Sequence, residues 1–257
     1  MIDSDYEKFK ENLYNKIGLD LNQYKERQVK RRITQFMTKH GVSRFSDFYI
    51  VLSKDKAVLK RFRDYLTINT SEFFRDIKMY NNLRDNILPN LSKKNGSLKI
   101  WSAGCSIGAE PYSLAILLHE AKARSFRIDA TDFDENILQT AEAGRYKANV
   151  LKNISENLKS KYFEAEGEEY RIKKRIKENI HFKQHNLLSD PYPQGYNLIL
   201  CRNVFIYFTP ETQNALLHKF SKSLKQGGYF ILGTSEFVTQ TEDFGFRKKA
   251  FSIYEKV

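Results

Sequence analysis

The chain has 257 residues, of which 41% are hydrophobic, and its 12 glycines and 5 prolines exclude disordered and collagen-like classes. This length suits one large domain and one small domain. The formal net charge of +12 calls for an anionic partner, and nucleic acid is the usual first candidate. The first residues lack the apolar stretch of a signal peptide, and no apolar run reaches membrane-spanning length. With only Cys105 and Cys201, which suggest reduced thiols, we expect a cytoplasmic protein without direct membrane insertion.

Residues 1–66 are predicted to form an all-helical domain, because apolar residues recur there at three-to-four spacing. Between residues 21 and 44, seven lysines and arginines accompany a single acid, Glu26. A charge run is often only the solvated face of a helix, but the near absence of acids favours docking to an acidic surface. The basic residues predicted to dock the substrate are Lys25, Arg27, Lys30, Arg31 and Arg32.

Residues 67–90 are predicted to link the helical domain to a larger domain that covers 91–257. The polar residues of this linker could cap helices or contact a ligand equally well. A helix from Lys78 to Leu91 should lead into the larger domain.

A glycine turn organises the larger domain. The apolar run Leu98–Trp101 is a predicted strand, Gly104 and Gly108 follow it, and helical spacing begins at Pro111. Strand, turn and helix in this order direct backbone N–H groups into a crevice. The third glycine of dinucleotide sites is missing, and Glu110 would repel a diphosphate, so a ligand with hydroxyls or a positive charge is favoured. A tight turn without a ligand fits the glycines alone equally well.

The remaining pattern predicts a doubly wound α/β sheet of the Rossmann-like type. Asp132 follows the second strand, where an acid accepts hydrogen bonds from ribose hydroxyls, whereas Asp134 is better placed to cap the next helix. An insertion of about 144–179 should contain short antiparallel strands. Other predicted strands are 125–131, 180–185, 196–201 and 229–233, and 246–254 is predicted to pair with a neighbouring strand. Helices are predicted at 135–143 and from Pro210 to about Lys225, and Gly227 and Gly228 are predicted to end the second of them.

Four blocks stand in order along nearly the whole chain. They read NTSEFFR at 69–75, AGCSIGAEPYS at 103–113, CRNVFIYF at 201–208 and GTSE at 233–236. Together they resemble the motifs of the CheR family, the chemoreceptor glutamate methyltransferases. The resemblance implies that S-adenosylmethionine is the methyl donor and S-adenosylhomocysteine the product. In the family the insertion docks a receptor tail peptide in some members.

The resemblance also implies site residues. Arg75 would hold the donor's carboxylate with its planar fork of N–H groups, and Asn186 and Leu187 would flank the adenine. Tyr207 is a candidate wall of the transfer site, and a core aromatic is an equally good interpretation. The scattered histidines predict no metal site. The predicted donor-binding residues are Asn69, Ser71, Arg75, Gly104, Glu110, Asp132, Asn186, Leu187, Arg202 and Asn203.

The expected activity is therefore methyl transfer from S-adenosylmethionine to glutamate side chains of chemoreceptor cytoplasmic domains, with no nucleic-acid partner. Glutamate is already ionised at neutral pH, so no general base is required. One alternative is a nucleic-acid methyltransferase, but Cys201 to Val204 stand where amino-methylating members carry an Asn/Asp-Pro-Pro-aromatic element. The other is an adaptor that binds the cofactor without transferring a methyl group.

Overall fold

A computed structural model describes residues 4–66 and 71–257, and the chain divides into two compact units. The first unit comprises Met1–Asn69 and Ile206–Asn214, and the second comprises Thr70–Phe205 and Ala215–Val257. The short segment Ile206–Asn214 therefore joins the N-terminal residues, although it follows the central sheet in sequence. The division into 1–66, 67–90 and 91–257 stays a prediction.

The first unit is built from helices, as the apolar spacing predicts. Their apolar faces meet in an aromatic core that includes Phe9, Phe36, Phe48 and Phe62, all of them buried. Phe208 joins this unit by packing its ring on Tyr24. The helices are α1 (Ser4–Ile17), α2 (Glu26–Lys39), α3 (Phe45–Lys54) and α4 (Lys56–Leu66).

The second unit alternates strands and helices around one large sheet. Its helices are α5 (Ile77–Asn82), α6 (Leu88–Lys94), α7 (Ala109–Glu120), α8 (Glu135–Ala143), α9 (Glu156–Tyr162), α10 (Lys174–Lys177) and α11 (Pro210–Ser223), the last of which begins within Ile206–Asn214. Its strands are β1 (Leu98–Ala103), β2 (Phe126–Asp132), β3 (Arg145–Lys147), β4 (Phe163–Glu166), β5 (Glu169–Ile172), β6 (Ile180–Gln184), β7 (Tyr196–Cys201), β8 (Leu224–Leu232), β9 (Phe246–Ala250) and β10 (Ile253–Lys256).

The large sheet has the strand order β6-β2-β1-β7-β8-β10-β9. The five strands from β6 to β8 are parallel, and β10 and β9 complete the sheet as an antiparallel hairpin. This confirms the predicted doubly wound α/β fold. The order reverses between β1 and β7, and ligands bind at such a point, outside the carboxyl ends of the strands.

The insertion forms a small antiparallel sheet of its own, with the order β3-β5-β4. Its tight turn lies at Gly167 between β4 and β5, where the sequence predicts a turn between short strands. Tyr146 on β3 anchors this sheet by donating a hydrogen bond of 2.8 Å to the Ile107 carbonyl in the glycine turn.

The segment 246–254 pairs with a neighbour as predicted, since it forms most of the β9–β10 hairpin and β10 pairs with β8. Two local predictions differ from the structure. The helix predicted from Lys78 to Leu91 is divided into α5 and α6 by the π-helical turn Leu83–Ile87. Gly227 and Gly228 do not end α11 but lie inside β8. A Cβ at Gly228 would lie 3.1 Å from the Asn197 carbonyl oxygen, so the glycine permits close pairing of β8 with β7.

Both faces of the large sheet are covered by apolar side chains. Trp101 packs against Tyr196 and Phe220 on one face, and its indole N–H donates to Thr131. Cys105 and Cys201 are buried and not disulfide-bonded. Across residues 4–66 and 71–257, no helix is long and apolar enough to cross a membrane.

Candidate active site

The carboxyl ends of four neighbouring parallel strands bring most of the predicted donor-binding residues to one edge of the sheet. Gly104 follows β1, Asp132 ends β2, Asn186 follows β6 and Arg202 follows β7. Since these strands are adjacent and parallel, residues separated by up to 98 positions in the sequence share this edge.

The glycine turn after β1 is held in one conformation. Gly104 has a φ of +81° and Gly108 a φ of +85°, a region that favours glycine. The N–H groups of Gly104 and Cys105 both donate to the Thr131 carbonyl, at 2.8 and 2.9 Å. Burial raises the pKa of the Cys105 thiol well above its ordinary value, so this thiol is neutral and serves in packing.

Asp132 connects the second strand to the glycine turn. One carboxylate oxygen accepts the Ser106 N–H at 2.8 Å, and the other accepts the Asp134 N–H at 3.0 Å. Burial raises the pKa of Asp132 above its ordinary value, an effect that these two backbone hydrogen bonds oppose. Asp134 caps α8 by accepting the Asn136 N–H at 2.9 Å, as predicted.

A buried ion network joins three elements at the same edge. The Arg202 guanidinium donates to Glu110 at 3.1 Å and also to the carboxylate of Asp76. It donates in addition to the Arg75 carbonyl at 3.0 Å, while Ser102 donates to Glu110 at 2.7 Å. Only 3% of the Arg202 side chain is exposed, so the guanidinium charge is held away from water. Arg202 therefore ties the segment before α5 to the first turn of α7.

Asn203 is held by a carboxylate that follows β8. Its backbone has a φ of +60°, and its N–H donates to Glu236 at 2.8 Å. The same oxygen of Glu236 accepts the Gly233 N–H at 2.6 Å. Glu236 is buried, and it joins the carboxyl ends of β7 and β8.

The segment that precedes α5 is packed onto the second unit. Phe73 and Phe74 are both buried, and the Phe74 N–H donates to the Ser113 hydroxyl at 2.9 Å. Ser71 and Arg75 are half-buried in this segment, and their side-chain contacts with the donor stay predictions. Asn69 lies outside the described residues.

Asn186 and Leu187 form a turn after β6. The Asn186 N–H donates to Asp190, and its side-chain oxygen accepts the Leu188 N–H at 3.0 Å. Leu187 is buried, and its carbonyl accepts a hydrogen bond from Tyr192. The contact of these two residues with adenine stays a prediction.

Tyr207 and the predicted docking residues belong to the first unit. The Tyr207 carbonyl accepts the Lys25 N–H at 2.8 Å, and its role as a wall of the transfer site stays a prediction. The basic residues of α2 divide by environment. Arg27 and Arg31 are exposed, one helical turn apart, whereas Arg32 donates to the Tyr65 carbonyl and stacks on that ring at 4.8 Å.

Two residues that the sequence analysis did not assign prove central to this edge. Asp76 completes the Arg202 network, and Glu236 holds Asn203. The sequence signal for both was their position at a block that resembles the family motifs, since Asp76 directly follows NTSEFFR and Glu236 ends GTSE.

The chemistry of this edge fits a nucleoside with a positive charge. Asp132 offers a buried carboxylate for hydroxyl groups, and the carboxylates near the glycine turn disfavour a diphosphate. An open, mostly parallel sheet with these groups at its carboxyl edge defines a Rossmann-like enzyme that binds a nucleoside ligand.

Comparison with known proteins identifies the family. The family "CheR methyltransferase, SAM binding domain" matches residues 69–252, and "CheR methyltransferase, all-alpha domain" matches residues 4–67. The chain is 39% identical over 246 residues to the chemotaxis protein methyltransferase of Listeria monocytogenes, covering 95% of this chain and 94% of that protein. It is 32% identical to the corresponding protein of Borreliella burgdorferi, covering 87% and 84%. The chain belongs to the CheR methyltransferase family, and S-adenosylmethionine is its cofactor.

The predicted role of Asp132 is to accept hydrogen bonds from ribose hydroxyls in its ionised form, so donor affinity should decrease as the pH falls. Burial has raised the pKa of this carboxyl, so protonation begins at a higher pH than for an ordinary aspartate, whose pKa is about 3.9. Calorimetric titration with S-adenosylhomocysteine across a pH series measures the effect. Asp132→Asn should bind S-adenosylhomocysteine more weakly at neutral pH, and its affinity should change less as the pH is lowered (a flatter acid limb of the pH profile). An unchanged acid limb in this variant would assign the titration to another group.

Proposed function

We propose that this methyltransferase modifies glutamate side chains of chemoreceptor cytoplasmic helices and thereby forms glutamyl methyl esters in chemotactic adaptation. The observation that carries the proposal is the match of both domains, over 95% of the chain, to a chemotaxis protein methyltransferase. The proposed location is cytoplasmic, where such receptor domains lie.

The proposed reaction needs no proton transfer before the methyl group moves. The bound donor supplies an electrophilic methyl group, which a carboxylate oxygen attacks as the bond to sulfur breaks and its electron pair stays on sulfur. A glutamate with a pKa of about 4.3 is ionised at neutral pH. No side chain has to act as a general base.

The contribution of this chain is then positioning. Attraction between a carboxylate and a sulfonium weakens as their charges neutralise, so strengthening it alone would stabilise the ground state. Well-oriented reactants can gain on the order of 7–11 kcal/mol from orientation. Buried groups suited to that task are Asp132, tied to the glycine turn, and Arg202, which ties the 71–76 segment to α7.

Transfer to purified receptor cytoplasmic fragments tests this function directly. With a methyl-labelled donor, we expect label on the protein that is released as methanol by mild base, since carboxyl esters are base-labile. Stable label on RNA or DNA would instead support the nucleic-acid methyltransferase that the net charge of +12 favours. Donor binding without any transfer would support the adaptor alternative.

Reversing the exposed basic residues of α2 should weaken binding of the receptor and leave donor affinity unchanged. Arg27 and Arg31 are the residues to reverse, because Arg32 packs on Tyr65 and the Lys30 ammonium lies 4.5 Å from the Tyr6 ring. Arg27→Glu with Arg31→Glu should raise the receptor KM several-fold at low salt. Exposed charges are screened beyond about 8 Å at physiological salt, so the difference from the parent should shrink as salt rises.

Lys60→Glu with Arg61→Glu is the matched control for this reversal. Both residues are exposed on α4 of the same unit, and the change in net charge is the same. The control should keep the parental KM. Equal effects of the two reversals would mean that net charge, and not a docking face on α2, attracts the receptor.

A further inference from the structure

Two phenylalanines are exposed together in the second unit. Phe237 is 70% exposed and Phe251 is 66% exposed. The Lys248 ammonium lies 5.8 Å from the centre of the Phe237 ring and 6.0 Å from that of Phe251. Since one ammonium group lies near both rings, these three residues form a single surface, which we call the aromatic patch.

The aromatic patch lies at the edge of the sheet that carries the donor-binding residues. Phe237 follows β8, whose carboxyl end is at that edge. Phe251 lies in the turn between β9 and β10, and β10 runs antiparallel to β8 with Ile253 opposite Ile231. The β9–β10 turn therefore lies beside the carboxyl end of β8.

The residues that flank the two rings are anchored. Glu236, next to Phe237, accepts the N–H groups of Gly233 and Asn203, and Val238 on the other side is buried. Ser252, next to Phe251, donates to the Gly233 carbonyl at 3.0 Å. The rings are thus presented by an ordered backbone that is bonded to the active-site residue Asn203. Such preorganisation lowers the entropic cost of binding a partner.

The charges around the aromatic patch fit an acidic protein segment. Arg247 and Lys248 are exposed on β9, and within residues 71–257 no carboxylate pairs with Lys248. Aromatic rings with basic groups could also stack nucleic-acid bases. The proposed function favours a protein partner, because the chain matches a chemotaxis protein methyltransferase over 95% of its length.

We propose that the aromatic patch docks the methyl-accepting protein through a helix that carries an apolar side chain one turn from an acidic side chain. The rings cover the apolar side chain and Lys248 meets the acid, so that a neighbouring glutamate of the same helix reaches the crevice. Buried aromatic residues are typical energetic centres of protein interfaces. This inference rests on the proposed function, because it takes the substrate to be an acidic helix.

A binding measurement that needs no methyl transfer tests the aromatic patch. The probe is a fluorescein-labelled helical peptide with glutamate and leucine one turn apart, titrated with the full chain at saturating S-adenosylhomocysteine. Phe237→Ser with Phe251→Ser should weaken binding at least tenfold. A second probe, in which serine replaces the leucines, should bind weakly to the parent and show little further loss in the variant. Tyr14→Ser, at a tyrosine that is 55% exposed in the first unit, is the control and should bind like the parent.

Transfer to a receptor cytoplasmic fragment provides the second readout. The double variant should raise KM for the fragment about tenfold while kcat and the donor Kd stay within twofold of the parent. If the parent methylates the fragment and the double variant matches it in KM and peptide affinity, the aromatic patch is not a docking surface, and the proposed function stands. If the parent forms no ester but the variant loses the peptide, the proposed function fails and the docking surface stands. The parent could also bind a polyuridine oligonucleotide more tightly than the peptide and lose that binding in the double variant. This result would overturn the proposal that the partner is a protein.

Discussion

Replacing Arg202 with methionine is expected to lower the free energy of unfolding by about 3 kcal/mol, the lower end of the range for a broken buried ion pair, because the change leaves two half-buried carboxylates without their cation. Arg202 is 3% exposed in its side chain, and Glu110 and Asp76 are 13% and 27% exposed. The donor Kd should rise as well, since the 71–76 segment loses its tie to α7. Urea denaturation and calorimetric titration with S-adenosylhomocysteine measure the two effects.

Arg84→Met is the matched control for this substitution. Arg84 pairs with Asp85 on the surface of the same unit, where both side chains are more than half exposed. Exposed ion pairs contribute about 0–1 kcal/mol, so the control should unfold close to the parent. Adding Glu110→Gln and Asp76→Asn to the Arg202 variant should recover part of the lost stability, because the orphaned charges are then removed. If Arg202→Met is as stable as Arg84→Met, the ion network is solvated and does not position the 71–76 segment.

The fold was predictable from the sequence because its signals are local. A strand followed by Gly104 and Gly108 and then by an apolar helix permits few arrangements, and Asp134 has the spacing of a helix cap. The alternation of strands and helices predicts a parallel sheet, and β6, β2, β1, β7 and β8 are parallel neighbours. These elements are where the predicted and observed boundaries agree most closely.

The site was less predictable, because its contacts join residues that are distant in sequence. The Arg202 guanidinium meets Asp76, 126 residues earlier, and no periodicity reports such a pair. The contact of Arg202 with the donor stays a prediction, and the structure adds protein partners that the motif did not indicate. The misplaced end of α11 has a similar cause, since Gly227 and Gly228 are helix-ending residues by propensity but serve here in strand pairing.

Gly104→Ala is expected to reduce donor affinity at least tenfold and to destabilise the second unit. The φ of +81° disfavours any side chain, by about 1–2 kcal/mol for an L-residue. In addition, a Cβ at this position would lie 2.6 Å from Cγ2 of Val204. The turn has little room to shift, because the N–H groups of Gly104 and Cys105 share the Thr131 carbonyl. Relief of the contact displaces Val204 or moves the glycine turn, and movement of the turn would shift Ser106 relative to Asp132.

Two further variants separate the backbone strain at Gly104 from the steric contact. Gly167→Ala, in the turn of the insertion, has a φ of +62° and no atom within 4 Å of the added Cβ, so it should cost stability and leave donor affinity unchanged. Val204→Ala added to Gly104→Ala removes the contact but not the strain, and it should restore part of the donor affinity. Full parental affinity of Gly104→Ala alone, measured by calorimetric titration with S-adenosylhomocysteine, would show that the glycine turn does not position the donor. Loss of donor affinity in Gly167→Ala would instead show that destabilising the second unit at any position lowers donor affinity, because this turn shares no contact with Val204 or Thr131.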